Sequence, residues 1–157
     1  CLICPFSSHC RALSEGTINL LPIKKTKVKV TSRYFNYFYV EVGEDNVLLN
    51  KREQKDVWKN LYEFPLIEVC EKKSLQQIIK EDLFIKWFQG IDEMEIKLIL
   101  EEVKHVLSHQ IIHTNFYHVR IPYKKEALNS FLEIKKSDLE KYPVSRLISE
   151  FINKYFE

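Results

Sequence analysis

The architecture is written most plainly in RYFNYFYVEVGEDNVLLNKR, residues 33–52. Seven of the first ten residues of this stretch are aromatic or β-branched, the composition of a strand. Gly43 to Asn46 supplies turn residues, and VLLNKR returns as a second strand, so the segment predicts a hairpin. Working outward, LYEFPLIEV (61–69) predicts a third strand or irregular edge segment broken by Pro65, which has no N–H for a ladder. Ser74 with Gln77 forms a capping-box pattern, and Leu75, Ile78, Ile79 and Leu83 keep helical spacing, predicting one helix over Ser74–Phe88 that ends near Gly90. EIKLILEEVKHVL (95–107) and FYHVRIPY (116–123) read as two long strands separated by SHQIIHTN (108–115). FLEIKK (131–136) is a short strand. In the closing segment Val144, Leu147, Ile148, Phe151, Ile152 and Tyr155 fall on one stripe of an amphipathic helix. Strands interleaved with two helices predict an α+β domain with a mixed sheet.

The bounds are ordinary. The 157 residues are enough for one domain with a sizeable core plus a tail. An apolar fraction of 45% with 29% charged residues fits a globular chain, and 3 glycines beside 13% aromatics exclude collagen-like and disordered classes. No apolar run approaches the roughly 20 residues of a membrane-spanning helix. No charged region followed by an apolar stretch marks a signal peptide at the start. PIKKTKVKVTSR (22–33) carries five cations and no acid. It predicts a basic connector over 22–32, after a loop-like segment 1–21 and before a domain spanning 33–157. A run of this kind is either a solvated linker or a phosphate-contacting strip, and its charge alone does not choose.

Three of the four cysteines, Cys1, Cys4 and Cys10, open the chain with C-x2-C-x5-C spacing. Zinc would accept Cys3His with His9 as the nitrogen ligand. An iron–sulfur cluster would require a fourth thiolate, and Cys70 lies far along the chain, where a lone Cys is more often a small buried hydrophobe. A lipoprotein anchor at Cys1 would leave two thiols beside it, and two disulfides lack a secretory context. The expectation is a piece of a longer chain whose missing ligand lay before residue 1.

Taken together, these motifs resemble the A/G-specific adenine DNA glycosylases, the MutY family. The cysteine spacing resembles the last three ligands of that family's C-x6-C-x2-C-x5-C cluster loop. VLLNKREQKDVWKNLYEFP resembles its LL-x-x-R…LW-x-G-L-W-E-F-P segment through Leu48, Leu49, Arg52, Trp58, Leu61, Tyr62, Glu63, Phe64 and Pro65. HVLSH (105–109) resembles the H-x-F-S/T-H loop, and LEKYPVSRLI the closing L-x-x-Y-P helix entry. The likeness covers essentially the whole chain. Departures are the absent first Cys, Leu107 in place of an aromatic ring, and Lys59–Asn60 where the family tends to carry glycine.

The resemblance implies a Nudix-like (MutT-like) domain that recognises 8-oxoguanine opposite adenine in double-stranded DNA. Hydrolysis of the adenine glycosidic bond would belong to helical sequence outside this chain, so no catalytic residue is assigned within it. Cys1, Cys4 and Cys10 would be ligands of a four-iron cluster in the full-length protein, with no cofactor expected here. Nudix hydrolysis needs G-x5-E-x7-R-E-U-x-E-E-x-G-U, whereas IEVCEKKSLQQIIKEDLF (67–84) presents Gln76, Gln77 and Lys80. Recognition without catalysis is therefore expected, in a monomer of the bacterial cytoplasm.

The lesion carries a protonated N7 and a new O8 acceptor, and Ser108 has a hydroxyl able to serve that altered edge. By the same resemblance His109 contacts lesion or phosphate, His105 braces the loop, and Leu107 acts as an apolar wedge. Without the family, this segment reads as a polar turn with solvent-facing histidines. Lys24, Lys25, Lys27 and Arg33 are candidate DNA-backbone contacts, with Lys104 and Arg120 behind them. His113 and His118 lack motif support. The alternative from another class is a zinc-nucleated protein-interaction module on Cys1, Cys4, His9 and Cys10.

Overall fold

The computed structural model describes residues 1, 3–23 and 30–156. The first segment holds two short 3-10 turns around α1 (Arg11–Ser14), and none of its described residues is buried. The domain proper begins with β1 (Thr31–Val42) and β2 (Asn46–Lys51), the predicted hairpin, registered as Glu41 opposite Val47 and Val42 opposite Asn46. Pro65 splits the next segment into β3 (Tyr62–Glu63) and β4 (Leu66–Val69), as its missing N–H requires. The Pro65 carbonyl still accepts from Phe38 N at 2.9 Å.

Where one helix is predicted over Ser74–Phe88, there are two: α2 (Leu75–Ile78) and α3 (Asp82–Phe88). The capping box at Ser74 and Gln77 is present. The break has a geometric cause. At about 100° per residue, an unbroken helix would set Ile78 and Trp87 on opposite faces. Restarting at Glu81 turns Ile78, Phe84, Trp87 and Phe88 toward one core, while Ile79 and Leu83 are left 37% and 45% exposed.

The long strands also depart from the expectation. β5 (Glu95–Val106) and β6 (Gln110–Ile121) are joined by a tight turn, and most of the predicted loop 108–115 is strand. Its polar residues have partners: β6 runs parallel to β1 along all twelve residues of each, and Asn115 Nδ2 donates to Asn36 Oδ1 at 3.3 Å. β7 (Leu132–Lys135) pairs with β2, and α4 (Arg146–Phe156) closes the chain.

The sheet follows the order β3-β2-β1-β6-β5, with β4 on the first half of β1 and β7 on β2. Both faces of β1 are apolar because both are covered. One face sends Phe38, Val40 and Val42 against α2 and α3. The other sends Phe35, Tyr37 and Tyr39 against Leu147, Ile148 and Phe151 of α4. Phe116 and Phe151 stack with centroids 4.3 Å apart. The result is a mixed sheet between helices, the α+β architecture expected. Among the described residues no helix is long and apolar enough to cross a membrane.

Candidate functional site

The β5–β6 turn carries the recognition candidates. Leu107 N donates to Gln110 O at 2.8 Å, leaving Ser108 and His109 at the tip, both exposed. The tip is tied to the start of β1, where Thr31 N donates to His109 O at 3.1 Å. His105 is half-buried, its ring 5.5 Å from that of Trp58. Leu107 does not project as a free wedge. It is half-buried and packs on the α4-side core, as Val57, Trp58 and Val103 also do, while Val106 is left 66% exposed. Strand alternation accounts for the difference, since Leu107 falls on the covered face.

Beside the turn lies a lattice of ion pairs. Arg33 donates to both oxygens of Asp56 at 2.9 and 2.8 Å, to both oxygens of Glu68 at 2.6 and 2.7 Å, and to Gln110 Oε1 at 3.3 Å. Arg52 donates to Asp56 at 2.7 Å, to Glu63 at 2.6 Å and to the Val57 carbonyl at 3.0 Å. Tyr37 Oη also donates to Glu63, at 2.9 Å. The hydrogen bond from Arg33 holds the Asp56 carboxyl below the usual carboxylate range. Arg33, expected at a phosphate, is thus committed inside the protein, with its side chain 17% exposed.

The same lattice explains the sequence motif. Leu48 and Leu49 enter opposite cores, Phe64 is buried, and Arg52 and Glu63 lock β2 to β3. Lys59 and Asn60 belong to a turn in which Trp58 and Asn60 take φ of 62° and 69°. Asn tolerates that region, whereas a Trp there is uncommon.

The other candidates scatter. Lys24, Lys25 and Lys27 lie outside the described residues. Lys104 is exposed near the tip, and Arg120 sits at the far end of β6 on Glu41. Cys1, Cys4 and Cys10 are free thiols. Among the described residues no three His, Cys, Asp or Glu side chains converge to hold a metal ion, so the zinc arrangement of Cys1, Cys4, His9 and Cys10 is not assembled. His9 Nδ1 instead meets Ser8 Oγ at 2.9 Å. A four-iron cluster takes four thiolates, one more than Cys1, Cys4 and Cys10 supply. A Nudix-type divalent cation fits no better, because Asp56, Glu63 and Glu68 are engaged by guanidinium groups and the helix surface carries Gln76, Gln77 and Lys80.

One cluster has no counterpart in the sequence reading. Glu41, buried at the end of β1, meets Lys136 at 2.9 Å, Arg120 at 3.1 Å and His118 Nε2 at 3.0 Å. The His118 contact is off the line of a good hydrogen bond, and its Nδ1 lies 2.8 Å from Tyr155 Oη. These residues are spread over more than a hundred positions: the parallel β1–β6 register joins Glu41, His118 and Arg120, Lys136 follows β7 and Tyr155 stands on α4, so no spacing signal marks them.

A mixed sheet sandwiched between helices, with a motif-locked β2–β3 corner, defines the class. The family model described as NUDIX domain matches residues 36–154, and the chain belongs to that family. Among curated proteins it is 28% identical over 116 residues to the adenine DNA glycosylase of Buchnera aphidicola subsp. Baizongia pistaciae, covering 73% of this chain and 30% of that protein. It is 29% identical over 126 residues to the adenine DNA glycosylase of Buchnera aphidicola subsp. Acyrthosiphon pisum, covering 80% and 33%. The chain thus spans about a third of the length of the curated relatives it matches. Among solved structures, the C-terminal domain of mouse MUTYH in complex with human PCNA aligns with a TM-score of 0.59 at 17% identity, over 78% of this chain and 86% of that one. The NUDIX domain of Shewanella oneidensis NrtR, complexed with ADP ribose, aligns at 0.55 and 15% identity, over 87% and 94%. These two likenesses concern the fold alone.

Proposed function

We propose that this chain is the lesion-recognition domain of an adenine DNA glycosylase acting in base-excision repair, and that Ser108 reads 8-oxoguanine opposite the adenine to be removed. The observation that carries the reading is the exposure of Ser108 at the tip of the β5–β6 hairpin, tied to β1 through His109 and braced by His105 on Trp58. The names of the curated relatives support the same role. An exposed hydroxyl accepts from N7–H of the oxidised base, and His109 beside it donates to the base or its phosphate. Glycosidic hydrolysis belongs to the portion of the relatives that this chain does not span, and the domain itself recognises without cutting. The four-iron cluster, held in part by Cys1, Cys4 and Cys10, belongs to that longer protein as well.

The test measures binding to duplexes holding 8-oxoguanine:adenine or guanine:adenine. The parent chain prefers the former, and Ser108→Ala shrinks the preference by about 1–3 kcal/mol, the scale of one good base-edge contact. An unchanged ratio removes Ser108 from the site.

A further inference from the structure

We propose that the loop Glu53–Asn60 is a second nucleic-acid contact, in which Lys55 and Lys59 meet phosphates beside the base that Ser108 reads. The inference rests on the DNA-binding reading above and adds residues that reading does not contain. Three observations carry it.

The loop is fixed against the turn. Trp58, between the two lysines, places its ring 5.5 Å from that of His105, and Leu107 packs on the same core as Val57 and Trp58. His105 precedes Ser108 by three residues. At about 3.4 Å per strand residue the tip therefore lies about three base-pair rises from the Trp58 contact. One duplex face can touch both.

The loop is also rigid, so placing a lysine there costs little ordering on binding. Asp56 is clamped by Arg33 and Arg52, Lys59 N donates to Asp56 O at 3.3 Å, and Asn60 N donates to Arg52 O at 2.7 Å.

Finally, the lattice consumes the acids and leaves the cations. Asp56, Glu63 and Glu68 are each engaged by Arg33 or Arg52, three carboxylates on two guanidinium groups. Lys55 and Lys59 are exposed, as are Lys51 and Lys104 nearby. Among the described residues none of the four has a carboxylate within ion-pair distance. Glu53 is the exposed acid of the loop, and the lysines outnumber it. A cationic rim that does not read sequence, set beside a turn that does, is the usual division between phosphate positioning and base readout.

The experiment follows fluorescence anisotropy of the chain on the two duplexes across about 50 to 200 mM salt. Lys55→Ala/Lys59→Ala weakens both complexes by the same factor, leaves their ratio unchanged, and flattens the slope of log K against log salt by about 1.8, the release of two phosphates' counterions. Lys55→Arg/Lys59→Arg restores the slope, and Lys80→Ala/Lys97→Ala, on surfaces away from the tip, leaves it as in the parent. A slope unchanged by the alanine pair, or flattened equally by the distant pair, overturns the proposal. Ser108→Ala separates the two readings, because it alters the ratio and not the slope. A normal lesion ratio with no slope effect defeats only this inference, an unaltered ratio in Ser108→Ala defeats only the assignment of Ser108, and a chain that binds neither duplex defeats both.

Discussion

Arg33 and Asp56 meet end-on, the two terminal nitrogens of the guanidinium lying 2.9 and 2.8 Å from the two carboxylate oxygens. That fork-to-fork contact joins the first turn of β1 to the loop Glu53–Asn60, and Arg33 continues to Glu68 on β4 and Gln110 on β6. The guanidinium therefore fixes the distance between the loop and the β5–β6 turn. Asp56→Asn keeps the shape and removes the charge shared by Arg33 and Arg52. It lowers stability by about 1.5–3 kcal/mol, the range for hydrogen bonds to charged groups, measured by urea denaturation. Arg33→Lys does not maintain wild-type stability, since an ammonium cannot span four carboxylate oxygens. A loss under about 0.5 kcal/mol in Asp56→Asn, the ordinary scatter of surface changes, would mean the lattice is ornamental.

Glu41 makes stability depend on acid. Burial pushes its carboxyl up, but the Lys136 ammonium at 2.9 Å and the His118 ring beside it outweigh burial and leave it below the ordinary glutamate value. A depressed folded value contributes stability that is complete above about pH 4.3, the ordinary value, and is lost as pH falls through the folded one. Glu41→Gln is therefore less stable than the parent at pH 7, and the gap closes as pH drops below 4.3. Denaturation series for both proteins at stepped pH check this. A gap that stays constant to the acid limit would show that the carboxylate's charge is not what Lys136 and Arg120 hold.

Leu107 and Val106 are neighbours with opposite fates. Leu107→Ala removes packing against the α4-side core and costs about 1–2 kcal/mol, below the fully buried range because the site is half open. Val106→Ala, at a side chain 66% exposed, changes stability by less than about 0.5 kcal/mol. Equal effects, measured by thermal denaturation, would mean Leu107 is not the anchor of the turn.

Much of this fold is legible in the sequence wherever local chemistry decides it. The aromatic run of β1, the break at Pro65, the Ser74 capping box and the α4 stripe each follow from the residues in place. The helix break at Ile79–Glu81 is not legible, because Ile79 and Leu83 continue the apolar period and only the sheet beneath determines which phase is covered. The start of β6 is hidden for a related reason. Gln110, His113, Thr114 and Asn115 look like loop until β1 runs alongside and Asn36 meets Asn115. At the candidate site, the place of Ser108 in a polar turn between two strands is legible, and it is exposed there. The commitment of Arg33, the packing of Leu107 and the Glu41 cluster are tertiary facts with no spacing signature.

Tyr37 and Tyr39, two residues apart on one face of β1, give opposite expectations from one substitution. Both are fully buried. Tyr37 Oη donates to Glu63 at 2.9 Å, within the lattice that locks β2 to β3. Tyr39 Oη is buried without a hydrogen-bond partner among the described residues, its ring held by Phe64 at 5.2 Å and by Phe151, Tyr155 and Phe156. Burial raises the value at which each hydroxyl would ionise, so both stay neutral at physiological pH. Tyr37→Phe removes a donor from a buried carboxylate and costs about 1.5–3 kcal/mol. Tyr39→Phe keeps the ring and deletes an unmatched polar atom, whose burial costs about 1–3 kcal/mol, so the variant is as stable as the parent or more so. If urea denaturation finds Tyr39→Phe destabilised as much as Tyr37→Phe, the Tyr39 hydroxyl has a partner after all, and the α4-side core is not the dry aromatic stack its ring contacts describe.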